Sequence, residues 1–309
     1  MPVPDRVPLL CRAAALAARA AAGSRLGARA RGSQQGGRAA VAAALVGEVG
    51  VSPNQEWLVT FFDEDYLKLH RHQLTAESTL KEVDFLEGAL DLPRGSAVLD
   101  LACGLGRHAI EMATRGFRVT GMDFNPRYLE IAAEDARRAG VEVRWSVGDM
   151  RTLPFEREFA AAYSYFTPFG HFSDQENERV LAGIVRSLAS PGRFFVDMAN
   201  RERILLHPQQ RSWTQQEDGA LLMEESTLDL KTSRVLSRLM LMRPHGGVEV
   251  TKEFDLRLYS CAELTALFAR HGLEVKNVWG GPDGSEYTAE SRRLILLGER
   301  VARTTGAAS

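Results

Sequence analysis

The hydrophobic positions change their period along the chain, and the changes mark out its elements. In NQEWLVTFFDEDYLKLH, from residue 54, Trp57, Phe61, Phe62 and Leu67 recur at helical spacing. A second helix is predicted through TAESTLKEVDFLEGALDL, with Leu80, Val83, Leu86 and Leu90 on one face and Pro93 and Gly95 ending it. Short apolar runs then alternate with helical stretches. SAVLDLA, RVTGMD, VEVRWSVGD, FAAAYSYF and RFFVDMA predict five strands. Between them lie a helix from about Gly106 to Thr114, a helix capped by Asn125 and closed by Gly140, and a helix through SDQENERVLAGIVRSLA stopped by Pro191 and Gly192.

The alternation breaks at residue 200. Residues 200–256 show no helical period but carry the strand-like runs ALLMEESTLDL, SRVLSRLMLMR and VEVTKEFDLRLY, with HGG at 245–247 as a turn between the last two. They predict an antiparallel insertion of three or four strands. A last helix, SCAELTALFARHG, is capped by Ser260 and stopped by Gly272, and LEVKNVWGG and SRRLILLGER finish the pattern as strands. Strand–helix alternation of this length implies an α/β fold, a doubly wound and mostly parallel sheet with helices on both faces.

Composition changes this picture at the N-terminus. Residues 1–50 hold seven arginines against Asp5 and Glu48, a net +5, and no lysine, with GSQQGG as a break. The segment reads as a disordered tail or as a transit peptide. A cytoplasmic location is expected for the first reading and a mitochondrial or other organellar one for the second. The domain proper is expected over 51–300, with N-terminal helices at 54–92 and a flexible end at 301–309. The remaining 259 residues carry 31 basic and 38 acidic groups, a net −7, a poor match for nucleic acid. Cys11, Cys103 and Cys261 lie far apart, which argues for a reducing compartment. No apolar run approaches the ~18 residues that span a bilayer.

The candidate chemistry sits in LDLACGLGRHA, residues 99–109. Gly104-Leu105-Gly106-Arg107-His108-Ala109 satisfies the dinucleotide pattern G-x-G-x-x-[GA] and opens a helix. Asp100, at the end of the strand before it, decides between cofactors. A carboxylate there would repel a pyrophosphate at the helix N-terminus by several kcal/mol at low effective dielectric. It would attract the ammonium and sulfonium of S-adenosylmethionine. Asp123, ending the second strand, suits ribose hydroxyls. Asp149 ends the third, where an adenine amino group could meet it and Met150 could cover the ring; capping a loop is the alternative.

AVLDLACGLGRHA, VTGMDFNPRYLEIA, GDMRTLPF, YSYFTPFGHF and GRFFVDMANRE, in this order and spacing, resemble the successive motifs of class I S-adenosylmethionine-dependent methyltransferases. RLYSCAELTALFARHGLEVKNVWGG is similar to that fold's last helix and reversed seventh strand. An antiparallel insertion after strand five resembles the small-molecule branch, which includes sugar-amine and glycine N-methyltransferases; the first fifty residues match nothing there. The resemblance implies a seven-stranded Rossmann-like sheet with a reversed last strand, an insertion roofing the acceptor, and S-adenosyl-L-methionine as cofactor. Its contacts are expected at Asp100, Ala102, Cys103, Gly104, Gly106, Asp123, Phe124, Asp149, Met150 and Tyr165. The same likeness suggests Arg71 for the cofactor carboxylate.

Methyl transfer from a sulfonium needs alignment and exclusion of water, no metal, and a base only where the acceptor arrives protonated. His171, in the loop after strand four, is the candidate base or hydrogen-bond partner of the acceptor, or alternatively an orienter of its own loop. Tyr66 is the second catalytic candidate. Phe166, Phe169 and Phe172 read as pocket walls, and Arg107 and His108 as first-turn residues without a catalytic part. Cys103 is either a thiol made reactive by the helix N-terminus or a small residue filling the loop. His70 and His72, two apart, face different sides of a helix and are not read as a metal site. Trp213, Arg201 and Arg211 could serve acceptor binding or packing. The acceptor is expected to be a small molecule, taking the methyl on nitrogen or oxygen, with no nucleic-acid or membrane partner. A nicotinamide-dependent oxidoreductase and a non-catalytic cofactor-binding partner protein are the alternatives.

Overall fold

A computed structural model describes residues 61–70, 73–208, 211–216, 218–244 and 246–301. The expected tail at 1–50, Trp57, Arg71, His72 and the C-terminal 302–309 lie outside the described residues.

Two helices, α1 (Glu64–His70) and α2 (Ala76–Leu90), precede the sheet. Thr75 caps α2 in a reciprocal pair with Ser78, and its buried face is Thr79, Val83, Leu86 and Leu90. Leu80, expected on that face, is only half-buried because Thr79 takes the inward position.

The alternating part runs β1 (Ala97–Leu101), α3 (Arg107–Thr114), β2 (Arg118–Asp123), α4 (Pro126–Ala139), β3 (Arg144–Val147), β4 (Phe159–Ser164), α5 (Asp174–Ser187) and β5 (Leu188–Ala199). Asn125 accepts hydrogen bonds from the Arg127 and Tyr128 N–H groups, Pro126 takes the first turn of α4, and Gly140 closes it at φ 72°. Helix α5 stops at Ser187, before Pro191 and Gly192, because the chain turns straight into β5.

Past β5 the expectation of no helix fails. A six-residue helix, α6 (Arg201–Leu206), is capped by the Asn200 side chain, and it is too short to print a period. The insertion follows as β6 (Arg211–Gln215), β7 (Leu221–Asp229), β8 (Arg234–Met242) and β9 (Val248–Arg257), a four-stranded antiparallel sheet in sequence order. The chain closes with α7 (Cys261–Arg270), β10 (Leu273–Trp279) and β11 (Arg293–Arg300).

The main sheet has the order β10-β11-β5-β4-β1-β2-β3, parallel throughout except β11, which pairs antiparallel with β5 and β10. The reversal therefore falls on β11, one strand later than the Leu273–Trp279 stretch to which the resemblance assigned it. Alternate residues of each strand feed two cores. Leu99, Leu101, Phe194 and Val196 pack with α5 and α7, while Val98, Val119, Phe195 and Ile295 pack with α2 and α3. Helix α1 lies against the insertion, where Phe61 and Leu69 pack with Leu239, Leu241 and Val250. No helix among the described residues is long and apolar enough to cross a membrane.

Candidate active site

The loop after β1 is built from left-handed residues: Ala102 (φ 59°), Gly104 (φ 55°) and Gly106 (φ 70°). The Gly104 N–H donates to Asp123 Oδ2 at 2.8 Å and the Asn125 N–H to Asp123 Oδ1 at 2.9 Å, so one carboxylate ties the loop to the end of β2. Burial pushes Asp123 up to about 6, against the backbone hydrogen bonds from Asn125 and Gly104 that lower it.

Above this loop lies a cavity of about 560 Å³. Its walls include Tyr66, Asp100, Ala102, Cys103, Gly104, Asp123, Phe124, Asp149, Met150, Tyr165 and His171, which the structure brings together from five parts of the chain. A Cβ on Gly104 would meet no atom within 4 Å. Gly106, expected beside the cofactor, is not in the lining; it is set back against Trp145 and Ala132, and its missing side chain makes room for the indole.

Three buried polar atoms on these walls have no partner: Asp100 Oδ2, Arg107 Nη2 and Tyr165 Oη. Burial raises Asp100 to about 7; the Tyr163 hydroxyl and Arg107 oppose the rise, although Tyr163 makes no hydrogen bond of full geometry. Arg107 is held from behind, with Nη1 donating to Thr79 Oγ1 at 3.0 Å and to Glu82 Oε2. Burial alone would raise Glu82, but the hydrogen bonds from His108 and Arg107 hold it below its ordinary value. His108 Nε2 lies 2.9 Å from the same carboxylate, and burial, helped by Arg107, lowers the imidazole to about 4. A positive and a negative group thus present free valences to one cavity, the polarity that a zwitterionic amino-acid end requires. The cavity walls fit S-adenosylmethionine.

The other candidates fall into place around this pair. Asp149 caps the short 3₁₀ turn Met150–Thr152, accepting from the Arg151 N–H at 2.8 Å, and its carboxylate also pairs with the Arg151 guanidinium, which reaches Glu176 at 2.8 Å. The loop-capping part is therefore present. Burial, with the charges of Asp100 and Asp123, raises the Cys103 thiol well above its ordinary value, which favours the reading of a small residue filling the loop. His171 is half-buried, and desolvation lowers it to about 4 despite hydrogen bonds with the backbone of Asp255 and Thr167. Its ring stands edge-on to Phe62 at 5.6 Å. Tyr66 packs on Phe62 and His70, and burial raises its hydroxyl. Of the expected walls, Phe166 and Phe172 line the cavity while Phe169 turns away into the core against Tyr259. Arg201 donates to Ser233 Oγ, Arg211 pairs with Glu225, and Trp213 is 70% exposed; none of the three lines the cavity.

Sequence reasoning missed Arg107 as a cavity group. A signal was available: a cation in the first turn of a helix opposes the macrodipole and calls for an anion nearby. It also missed Arg293, which donates to both Asp197 oxygens at 2.7 Å and to Thr167 Oγ1 at 2.6 Å. Phe166 and Thr167 both have left-handed backbones, φ 72° and 62°, and the Phe166 N–H donates to Asp197 Oδ2 at 2.8 Å.

Comparison with known proteins agrees with the fold. A model described as a methyltransferase domain matches residues 98–192. The chain is 28% identical over 217 residues to the cypemycin N-terminal methyltransferase of a Streptomyces species, covering 67% of this chain and 84% of that protein. It is 24% identical over 196 residues to the dTDP-3-amino-3,6-dideoxy-alpha-D-glucopyranose N,N-dimethyltransferase of Streptomyces fradiae, covering 62% and 75%. Other relatives of higher identity are matched over only 26–45% of their length. Among solved structures, an S-adenosylmethionine-dependent methyltransferase from Clostridium acetobutylicum superposes with a TM-score of 0.66 at 16% identity, covering 79% of this chain and 99% of that one. With the strand order and cavity above, the chain is a class I S-adenosylmethionine-dependent methyltransferase. S-adenosyl-L-methionine is its cofactor, and the nicotinamide alternative is set aside.

Proposed function

We propose that this methyltransferase moves a methyl group to a nitrogen or oxygen of a small-molecule acceptor. The observation that carries the reading is the pairing of Asp100 Oδ2 with Arg107 Nη2 as unpartnered, oppositely charged atoms on one cavity wall. Asp100 holds the ammonium of the cofactor and Arg107 its carboxylate. Asp123 accepts from the ribose hydroxyls, Asp149 and Met150 meet the adenine, and Phe124, Tyr165 and the Ala102–Gly104 backbone close around the rest. When bound, S-adenosylmethionine supplies a methyl group on a sulfonium, a leaving group needing no further activation.

The chain's own work is then alignment and dryness. Phe61, Phe62, Tyr66 and Phe254 roof the cavity with apolar surface. His171 orients the acceptor as a neutral hydrogen-bonding group. Its imidazole, near 4, lies about six units below an alkylammonium at about 10, so deprotonating one would be uphill by roughly 8 kcal/mol. On this reading His171 does not take a proton from an amine acceptor, which binds neutral. The sugar-amine relative supports the small-molecule class. Calorimetric titration of the full chain with S-adenosylhomocysteine and with NAD tests the reading. Saturable binding of the first alone is expected; preferential binding of NAD would overturn it.

A further inference from the structure

The acceptor side of the cavity is lined by a nearly continuous run of aromatic rings in edge-on and tilted contact. From Phe166 the rings pass to His70 at 6.2 Å, Tyr66 at 4.1 Å, Phe62 at 4.8 Å, His171 at 5.6 Å and Phe254 at 6.5 Å. They come from α1 and the residues just before it, the loop after β4 and the insertion strand β9, so main domain and insertion close on each other through aromatic edges and faces. The guanidiniums that border the cavity are already engaged: Arg107 pairs with Glu82 and turns its one free nitrogen, Nη2, to the cofactor carboxylate, Arg151 pairs with Asp149 and Glu176, and Arg293 with Asp197. A diphosphate brought in on the acceptor would meet no uncommitted arginine among these lining residues.

We propose that the acceptor presents an uncharged aromatic or heteroaromatic nitrogen and that the ring collar is built to hold the N-methyl cation it becomes. The inference rests on the methyl-transfer reading and names the substrate class of that site. Such a nitrogen has its lone pair free at neutral pH, so no side chain need remove a proton first. The lone pair forms the new N–C bond, the C–S pair stays on sulfur, and the positive charge passes from sulfonium to nitrogen. A ring nitrogen without hydrogen keeps that charge; an aromatic amine releases its proton to solvent on leaving. Aromatic faces attract a desolvated cation more than its neutral parent, so the collar favours the state in which charge has moved across. The sulfonium loses its charge at the same moment, while the ammonium that Asp100 holds keeps its own, so the collar is the charge-receiving side.

The test is binding of quinoline, N-methylquinolinium and thymidine diphosphate to the full chain, saturated with S-adenosylhomocysteine and alone, by calorimetry. N-methylquinolinium is expected to bind about tenfold more tightly than quinoline, and thymidine diphosphate more weakly than either. Phe254→Leu and Phe62→Leu should each bring the cation's advantage close to parity. Their S-adenosylhomocysteine affinity, read in the same titrations, should stay within about twofold. Equal binding of quinoline and its methylated cation, or tighter binding of thymidine diphosphate, would overturn the proposal. Failure of S-adenosylhomocysteine to bind would overturn the cofactor reading instead, while the ring preference is still read on the unloaded chain.

Discussion

The indole of Trp145, on β3, fills the space that a Cβ on Gly106 would need, and a Cβ on Gly121 would stand 2.5 Å from the same ring. One aromatic side chain therefore backs the cofactor loop and the neighbouring strand β2 together. The two loop glycines serve different ends: Gly104 opens to the cavity and Gly106 to the packing beneath it.

That difference is measurable. Gly106→Ala forces the indole to move and places a side chain at φ 70°, so unfolding in urea should show a loss of about 2–4 kcal/mol. Gly104→Ala meets nothing and should cost only the backbone strain, about 1 kcal/mol. Its methyl group would instead project into the cavity, and S-adenosylhomocysteine affinity should fall at least tenfold. Equal stability of the two variants would show that Trp145 does not brace the loop.

If Asp100 holds the cofactor's ammonium as proposed, cofactor binding is expected to depend on pH. Its carboxyl titrates near 7 in the free protein, and an ammonium partner favours the charged form, so affinity should rise with pH through about 7 and level off above 8. Binding at pH 6 should be about tenfold weaker than at pH 8. Folding stability has the opposite sign for this group. Its folded pKa is raised above the ordinary 3.8, so its contribution is fully present below about 4 and is lost as pH rises to about 7. Asp100→Asn should flatten the binding curve across this range; a curve unchanged by the substitution would assign the dependence elsewhere.

Arg107 is expected to act on cofactor affinity, not on turnover. Arg107→Met keeps the apolar stem but removes the charge, and should weaken S-adenosylhomocysteine by about 1.5–3 kcal/mol, or roughly 10–150-fold. His108 would then be the remaining partner of Glu82. A loss of turnover with unaltered affinity would contradict the carboxylate assignment.

His171→Ala should lower turnover while leaving S-adenosylhomocysteine affinity within about twofold. Because burial holds the imidazole near 4, the wild-type rate should not show a histidine titration between pH 6 and 8. His171→Gln, which keeps a hydrogen-bonding side chain, should recover part of the rate. A rate that climbs through pH 6.5 only when His171 is present would restore it as a base.

How much of this could be read from the chain follows from where each signal resides. The β1–α3–β2–α4 unit was legible because its boundaries are local: the acid at Asp100, the glycines after it, Asn125 with Pro126, and Gly140. Helix α6 and strand β6 were not, since six residues carry no period and RSWTQ buries nearly nothing. Arg107 drew attention as a helix-start residue, but its direction is set by Glu82 and Thr79 on α2, more than twenty positions earlier. Arg293 lies 96 residues from Asp197 and meets it only because β11 inserts beside β5. Sheet order of that kind leaves no mark on the sequence of either strand.

The pair Asp197–Arg293 is expected to hold the wall of the cavity in a strained form. Asp197 is buried and bonds Arg293 through both oxygens, while the Phe166 N–H and the Thr167 hydroxyl join the same cluster. Two consecutive non-glycine residues in the left-handed region cost of order 1–2 kcal/mol each, and such a turn persists where its surroundings fix it. Arg293→Met leaves a buried carboxylate without its cation and should destabilise the fold by about 3 kcal/mol. The Phe166 and Thr167 amides should lose protection from hydrogen exchange in that variant. Thr167→Gly separates strain from simple loss of the ion pair. Glycine takes φ 62° freely, so Thr167→Gly should restore about 1 kcal/mol when added to Arg293→Met. In the wild-type background it also removes the Thr167 hydroxyl bond, and the gain should shrink toward zero. If the added glycine restored nothing in the Arg293→Met protein, the turn would carry no strain for the pair to hold.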